Sequence, residues 1–101
     1  MIHKIARYRI REENTQRIEA AITTFLTAVH ENEPETRYQA YRLEEGPEYV
    51  HLMEFPDQEA EGVHQAADYT KAFVEVLYDA CVEHPRFADL NAIGAPAPSS
   101  A

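Results

Sequence analysis

Histidine and arginine residues at strand-like spacing are the first candidates for chemistry in this sequence. Arg7 and Arg9 lie two residues apart in an alternating segment, so both guanidinium groups should point to the same side of a strand. His51 lies in a second such segment, together with Met53 and Phe55. Histidine titrates near neutral pH and can act as a general base, and arginine can bind a carboxylate or phenolate bidentately. This combination predicts a cavity for a small aromatic or anionic ligand.

A strand–helix–strand–strand–helix–strand order would position these side chains. Apolar residues with period two predict strands, and an apolar stripe at helical spacing predicts a helix. Asn14 is the expected N-cap of the first helix, and Pro34 and Pro85 are expected to end the two long helices. The predicted strands cover residues 2–10, 36–43, 49–55 and 86–94, and the predicted helices cover residues 15–33, 57–66 and 68–84.

This order is the split βαβ pattern, which predicts an α+β, ferredoxin-like βαββαβ fold with a four-stranded antiparallel sheet. Both long helices would cover one face of that sheet. We expect residues 1–94 to form this domain and residues 95–101, which are rich in Pro, Ser and Ala, to form a flexible tail.

The third predicted strand is apolar on both sides. Val50 and Leu52 lie on one side, and Tyr49, Met53 and Phe55 lie on the other. A monomer would leave one of these sides in water, and exposed apolar patches of this kind usually mark an interface. We therefore expect a homodimer whose two sheets enclose a barrel-like cavity.

The first and third strands are neighbours in this topology. If Tyr8 and Ile10 face the helices, Arg7 and Arg9 should share the opposite face with His51 and its apolar neighbours. The two arginines would then orient a ligand beside the imidazole. The alternative is that they form ion pairs with glutamates such as Glu54, or with acidic residues across the dimer.

Composition narrows the classes of partner. The net charge of −9 argues against binding to a nucleic-acid backbone, which needs clustered cations on one face. No apolar segment is long enough to span a membrane, and the lone Cys81 permits neither an internal disulfide nor a cysteine-based zinc site, which favours the cytoplasm. The five histidines lack close metal-ligand spacing, and there is no Gly-rich phosphate loop. We expect no metal and no cofactor.

Several short motifs together resemble a known family. They are two tyrosines three apart (Tyr38 and Tyr41), the segment Met53-Glu54-Phe55 before Pro-Asp, His64 in the short helix, and the run Tyr69-Thr70-Lys71-Ala72-Phe73. Over about residues 3–94 the sequence resembles the antibiotic biosynthesis monooxygenase (ABM) type of the dimeric α+β barrel superfamily. That superfamily includes cofactor-free, quinone-forming monooxygenases, haem-degrading enzymes, isomerases and signal-processing enzymes.

The resemblance implies a cofactor-independent monooxygenase that acts on a small aromatic or quinol-type compound. His64 matches a histidine used in the signal-processing branch, and His51 and Phe55 match an asparagine and a tryptophan that line the pocket in the monooxygenase branch. From this resemblance and the strand geometry above, we expect His51 and His64 to be catalytic. The expected substrate-binding residues are Arg7, Arg9, Met53, Phe55, Tyr69 and Phe73. Phe73 stands near the position of a haem-ligating histidine and cannot bind iron, which argues against haem degradation. Two alternatives stay open: a non-catalytic dimer that binds a small ligand or serves in assembly, and an isomerase of the same superfamily.

Overall fold

The chain forms a four-stranded antiparallel sheet with three helices on one of its faces, as a computed structural model that describes residues 1–94 shows. The strands are β1 (Ile2–Arg9), β2 (Arg37–Arg42), β3 (Glu48–Phe55) and β4 (Arg86–Leu90), and the helices are α1 (Thr15–Asn32), α2 (Gln58–Ala66) and α3 (Asp68–Ala80). The α+β, ferredoxin-like fold predicted from the sequence is confirmed. The flexible tail predicted for residues 95–101 lies outside the described residues.

The strands are arranged in the order β2-β3-β1-β4, which places β3 and β1 at the centre. In the antiparallel register of this central pair, Ala6 lies opposite His51 and Tyr8 lies opposite Tyr49. Directly opposed residues of an antiparallel pair lie on the same face of the sheet. The even-numbered residues of β1 and the odd-numbered residues of β3 therefore share one face.

That shared face is the one that the helices cover. Phe25 of α1 and Phe73 of α3 are buried against each other, with ring centroids 4.7 Å apart. Tyr38 of β2 and Phe55 of β3 are also buried in this core. The fully buried stripe of α1 follows helical spacing and consists of Ile18, Ile22, Phe25 and Val29. The amphipathic pattern in the sequence thus gives the packing that was expected from it.

Arg7 and Arg9 lie on the uncovered face as predicted, but the prediction that His51 shares this face with them is wrong. Arg7 lies opposite Val50, and Arg9 lies opposite Glu48, so both arginines are on the uncovered face, away from His51. Their guanidinium groups lie 3.6 and 3.9 Å from the Glu48 carboxylate. The prediction failed at β3. The side of β3 that carries His51 faces the helices, as does the side of β1 that carries Tyr8. The alternative prediction was that the two arginines form ion pairs with glutamates such as Glu54. The glutamate that they approach is Glu48.

Both long helices differ from the prediction at one end. Asn14 occupies the N-cap position of α1, as expected, but its side chain makes no capping hydrogen bond, and a short 3₁₀ turn at Glu12–Asn14 leads into the helix. Helix α3 ends at Ala80, well before Pro85, because the chain becomes extended at Cys81 and forms a bridge with Ile10. Tertiary hydrogen bonding from the end of β1 thus stops the helix before the proline does.

The uncovered face of the sheet has an apolar centre. Leu52 of β3 is 40% exposed, and Tyr41 of β2 and Leu90 of β4 are exposed on the same face. Among the described residues, no helix is long and apolar enough to cross a membrane. The homodimer expected from the two-sided β3, and the cytoplasmic location expected from Cys81, stay predictions.

The N-terminus of α2 depends on one capping residue. Asp57 Oδ1 accepts a hydrogen bond of 2.9 Å from the backbone N–H of Ala60. We expect Asp57→Ala to lower the free energy of unfolding by about 1 kcal/mol, because that N–H loses its partner. Urea denaturation measures the change, with Asp57→Asn as the control that keeps an accepting oxygen. Equal stabilities of the alanine and asparagine variants would contradict this role.

Candidate functional site

A cavity of about 270 Å³ lies between the helix-covered face of the sheet and the helices. Its apolar walls include the aromatic rings of Phe25, Phe55 and Phe73. The polar side chains that line it are Lys4, Tyr8, Tyr38, His51, Glu61, His64, Gln65 and Thr70. A wider depression of about 620 Å³ crosses the outer part of the sheet, but half of its lining residues are exposed. The smaller cavity is the better candidate because it combines apolar walls with a few buried polar groups.

His51 is held between two tyrosines at the sheet wall of this cavity. Tyr8 Oη lies 2.7 Å from its Nε2, and Tyr38 Oη lies 2.7 Å from its Nδ1. The three residues come from β1, β3 and β2, and their side chains meet because the strand register places them on one face. We call these three residues the Tyr–His–Tyr chain. Its imidazole is oriented from both sides.

Burial determines the protonation of this chain. His51 is only 1% exposed, and burial lowers its pKa to about 4, so the ring is neutral at neutral pH. Burial also raises the pKa of Tyr8 and that of Tyr38, which keeps both hydroxyls protonated. With both ring nitrogens already hydrogen-bonded and a low pKa, His51 is a poor general base at neutral pH. Its catalytic role stays a prediction, and the geometry favours a positioning role.

A second buried cluster joins His64 of α2 to Glu33 at the end of α1. His64 Nδ1 lies 2.9 Å from Glu33 Oε2 and 3.1 Å from Oε1. Tyr69 of α3 donates its hydroxyl to the same carboxylate at 2.5 Å. Burial, followed by the hydrogen bond to Glu33, raises the pKa of Tyr69 to about 12. The contacts between Nδ1 and the carboxylate orient the His64 ring. The other ring nitrogen, Nε2, makes no hydrogen bond within residues 1–94.

The solvent side of the cavity is bordered by exposed residues and an ion pair. Gln65 and Phe87 are exposed there, and Lys4 Nζ lies 2.5 Å from Glu61 Oε2. The hydrogen bond to Glu61 is the main cause that raises the pKa of Lys4. A ligand that enters from this side would pass a cation and an anion.

The structure brings most of the predicted site residues together. His51, His64, Met53, Phe55 and Phe73 line the cavity. Tyr69 is one step removed, because it contacts Glu33 behind His64. Arg7 and Arg9 do not line it.

Several residues of the site were missed by sequence reasoning. Glu33 and Lys4 belong to no motif, and Thr70 was noted only as a member of the run from Tyr69 to Phe73. Folded packing brings Lys4 and Thr70 to the cavity and places Glu33 behind His64. Tyr8 and Tyr38 had a usable signal, since each occupies the apolar phase of an alternating strand. Within residues 1–94, no group of three or more His, Cys, Asp or Glu side chains is arranged to hold a metal ion.

The buried neutral His51 makes stability depend on pH. Its pKa is lowered in the folded state relative to 6.5 when exposed, so the unfolded chain binds a proton first as pH falls. We expect this residue's contribution, about 3 kcal/mol, to be present above pH 6.5 and to be lost as pH falls to about 4. Urea unfolding of wild type and His51→Gln at several pH values measures this contribution. The difference between their free energies of unfolding should decrease as the pH falls.

The control for this measurement is His84→Gln, because His84 is exposed. That variant should follow the wild-type pH dependence. Parallel curves for wild type and His51→Gln over the same pH range would contradict the assignment.

Comparison with known proteins supports a family and a fold. The family model described as "Antibiotic biosynthesis monooxygenase" matches residues 1–76. None of the curated proteins matches the sequence. The fold is similar to a crystal structure of an antibiotic biosynthesis monooxygenase, with a TM-score of 0.84 and 19% identity over 93% of this chain and 100% of that one.

Two further solved structures show the same fold at low identity. A protein from Caulobacter crescentus CB15 has a TM-score of 0.83 and 23% identity, over 92% of this chain and 90% of that one. Rv0793 from Mycobacterium tuberculosis has a TM-score of 0.82 and 17% identity, over 93% of this chain and 96% of that one. Because the family model covers most of the sequence and these structures share its fold, the chain belongs to the antibiotic biosynthesis monooxygenase family.

Proposed function

We propose that this protein is a cofactor-independent monooxygenase that oxidises a small hydroxylated aromatic compound in the cavity between the sheet and the helices. The observation that carries this proposal is the buried His64–Glu33 pair at the wall of an aromatic cavity. The name of the family and the aromatic lining support the reaction class.

His64 is the proposed general base. Its Nδ1–H donates to the Glu33 carboxylate, which leaves the lone pair of Nε2 to accept a proton from a ligand. The carboxylate fixes the orientation of the ring and stabilises the imidazolium that forms, as an acidic partner does in other His-based sites. His64 also contacts the rings of Phe25, Tyr38 and Phe55, with centroids 5.6, 5.5 and 5.1 Å away. These contacts hold the base against the space that a flat ligand would fill.

The reaction balances without an external reductant. Removal of a phenolic proton gives an electron-rich phenolate that can reduce dioxygen itself. One oxygen atom of dioxygen enters the ring to give a quinone, and the other leaves as water with the two hydrogen atoms that the substrate loses. The four electrons come from the substrate. The protein supplies the base, an oriented pocket and exclusion of water.

Replacement of His64 should remove the base. We expect His64→Ala to lower kcat/KM for dioxygen uptake by about 100-fold or more on a panel of hydroquinones and naphthols. Glu33→Gln should cause a smaller loss, because the ring stays but its partner loses its charge. An oxygen electrode measures the rate, and circular dichroism checks the fold.

His84→Ala is the matched control, since this exposed histidine lies outside the cavity. It should keep the wild-type rate. Uptake that survives in His64→Ala would exclude His64 as the base. Wild-type protein that binds members of the panel without consuming dioxygen would replace catalysis with ligand binding alone.

We also propose that two copies pair through the uncovered sheet face. Leu52, Tyr41 and Leu90 expose apolar surface there, and burial against a second copy would remove that surface from water. A two-fold arrangement would make the same patch serve both partners.

Light scattering tests the dimer. Wild-type protein at micromolar concentration should have twice the monomer mass, and Leu52→Arg should shift it to the monomer because a cation would be buried in an apolar contact. Val63→Arg is the control, since Val63 is exposed on α2. A wild-type monomer would contradict the proposal, as would a Leu52→Arg variant that stays dimeric.

A further inference from the structure

We propose that the Tyr–His–Tyr chain and Thr70 recognise an acceptor oxygen on the aromatic ligand, so that the cavity prefers an aromatic ketone or quinone-like ring to a hydrocarbon of the same shape. This inference deepens the proposed function and rests on it for the location of the ligand. It assigns the Tyr–His–Tyr chain and Thr70 of α3 a role separate from the base on α2.

The Tyr–His–Tyr chain has one more hydroxyl hydrogen than it has acceptors among residues 1–94. A neutral imidazole has one N–H and one accepting nitrogen. Tyr8 and Tyr38 each lie within hydrogen-bond distance of a different nitrogen of His51. One tyrosine therefore donates to the ring, and the other accepts from it. The hydroxyl hydrogen of the accepting tyrosine has no acceptor among residues 1–94.

That unmatched hydrogen is buried and lies at the cavity. Both tyrosines are largely buried, and both line the same cavity. A buried O–H without an acceptor costs free energy, which a ligand oxygen would recover. The chain has two proton arrangements, with the free hydrogen on Tyr8 or on Tyr38, so it can serve an oxygen at either end.

Thr70 provides a second, independent observation. Its Oγ1 is buried and has no hydrogen-bond partner among residues 1–94, and the residue lines the same cavity. Thr23 and Thr27 of α1 behave differently, because each donates to the carbonyl four residues earlier, at 3.0 Å. Thr70 lies in the first turn of α3 and lacks such a bond. Two hydroxyls that line the same cavity, one on the sheet and one on α3, thus have unused hydrogen-bonding capacity.

The remaining walls determine the rest of the ligand. Phe25 and Phe73 stack within 8° of parallel, and the His51 ring stacks against Phe73 with centroids 5.6 Å apart. Flat aromatic ligands suit such walls. The cavity volume of about 270 Å³ lies at the small end of ligand pockets, which favours one or two fused rings. The ligand class is therefore a small, flat aromatic compound with a carbonyl oxygen.

A matched pair of probes tests this preference without any reaction. The ketone 1-tetralone and the hydrocarbon tetralin differ chiefly in the carbonyl oxygen, and calorimetry gives the dissociation constant of each. We expect wild-type protein to bind 1-tetralone about tenfold more tightly than tetralin. Equal affinities, or no binding of either probe, would overturn the inference.

Conservative substitutions identify which hydroxyls cause the preference for 1-tetralone over tetralin. Thr70→Val keeps the shape but removes the hydroxyl, and Tyr8→Phe and Tyr38→Phe each remove one hydroxyl of the chain. At least one tyrosine variant and Thr70→Val should reduce the ratio of the two affinities by several-fold, with tetralin binding unchanged. Thr23→Val, outside the cavity, should keep the wild-type ratio. A ratio that none of the three cavity variants changes would overturn the assignment.

A spectroscopic measurement on wild-type protein tests the same contact if the variants do not fold. The infrared carbonyl stretch of bound, ¹³C-labelled 1-tetralone should lie at lower wavenumber than in an apolar solvent, because a donor contacts the oxygen. An unshifted band would overturn the inference. A preference for the ketone without dioxygen uptake would support this recognition and contradict the proposed oxidation. Dioxygen uptake without a preference for the ketone would support the oxidation and contradict this recognition.

Discussion

The antiparallel register between β1 and β3 is the constraint on which the rest of the site depends. It places Ala6 opposite His51, which turns Tyr8 and His51 toward the same helices. A shift of this register by one residue would put Tyr8 and His51 on opposite faces of the sheet, because side chains alternate along a strand. Small Ala6, directly opposite, leaves room for the imidazole between the two tyrosines. The polar interior thus follows from one backbone alignment.

Two polar clusters then divide the cavity between them. The Tyr–His–Tyr chain belongs to the sheet, and the Glu33–His64–Tyr69 cluster belongs to the helices. Each satisfies most of its own hydrogen bonds, so the buried polar groups are tolerated in an apolar core. The two clusters meet where the His64 ring contacts the Tyr38 ring, with centroids 5.5 Å apart. A substitution in one cluster can therefore also affect the other.

The element order could be read from the sequence because local signals determine it: alternation in β1 and β3, apolar spacing in α1, and the Pro residues near helix ends. The side of β3 that meets the helices could not, since both of its sides are apolar. That choice depends on pairing between segments more than forty residues apart, such as Tyr8 and His51. The same holds for Glu33, whose partners His64 and Tyr69 are distant in the sequence. Local patterns predict elements, whereas long-range packing selects the site.

The two proton arrangements of the Tyr–His–Tyr chain have a consequence for observation. Each tyrosine hydroxyl lies 2.7 Å from its own ring nitrogen of His51. The two proton arrangements therefore have hydrogen bonds of equal length, and each corresponds to one tautomer of the ring. An occupant of the cavity that approaches one tyrosine selects one tautomer of His51, and an occupant at the other selects the opposite tautomer. The nitrogen chemical shifts of a single imidazole would thus record which tyrosine hydroxyl the occupant contacts.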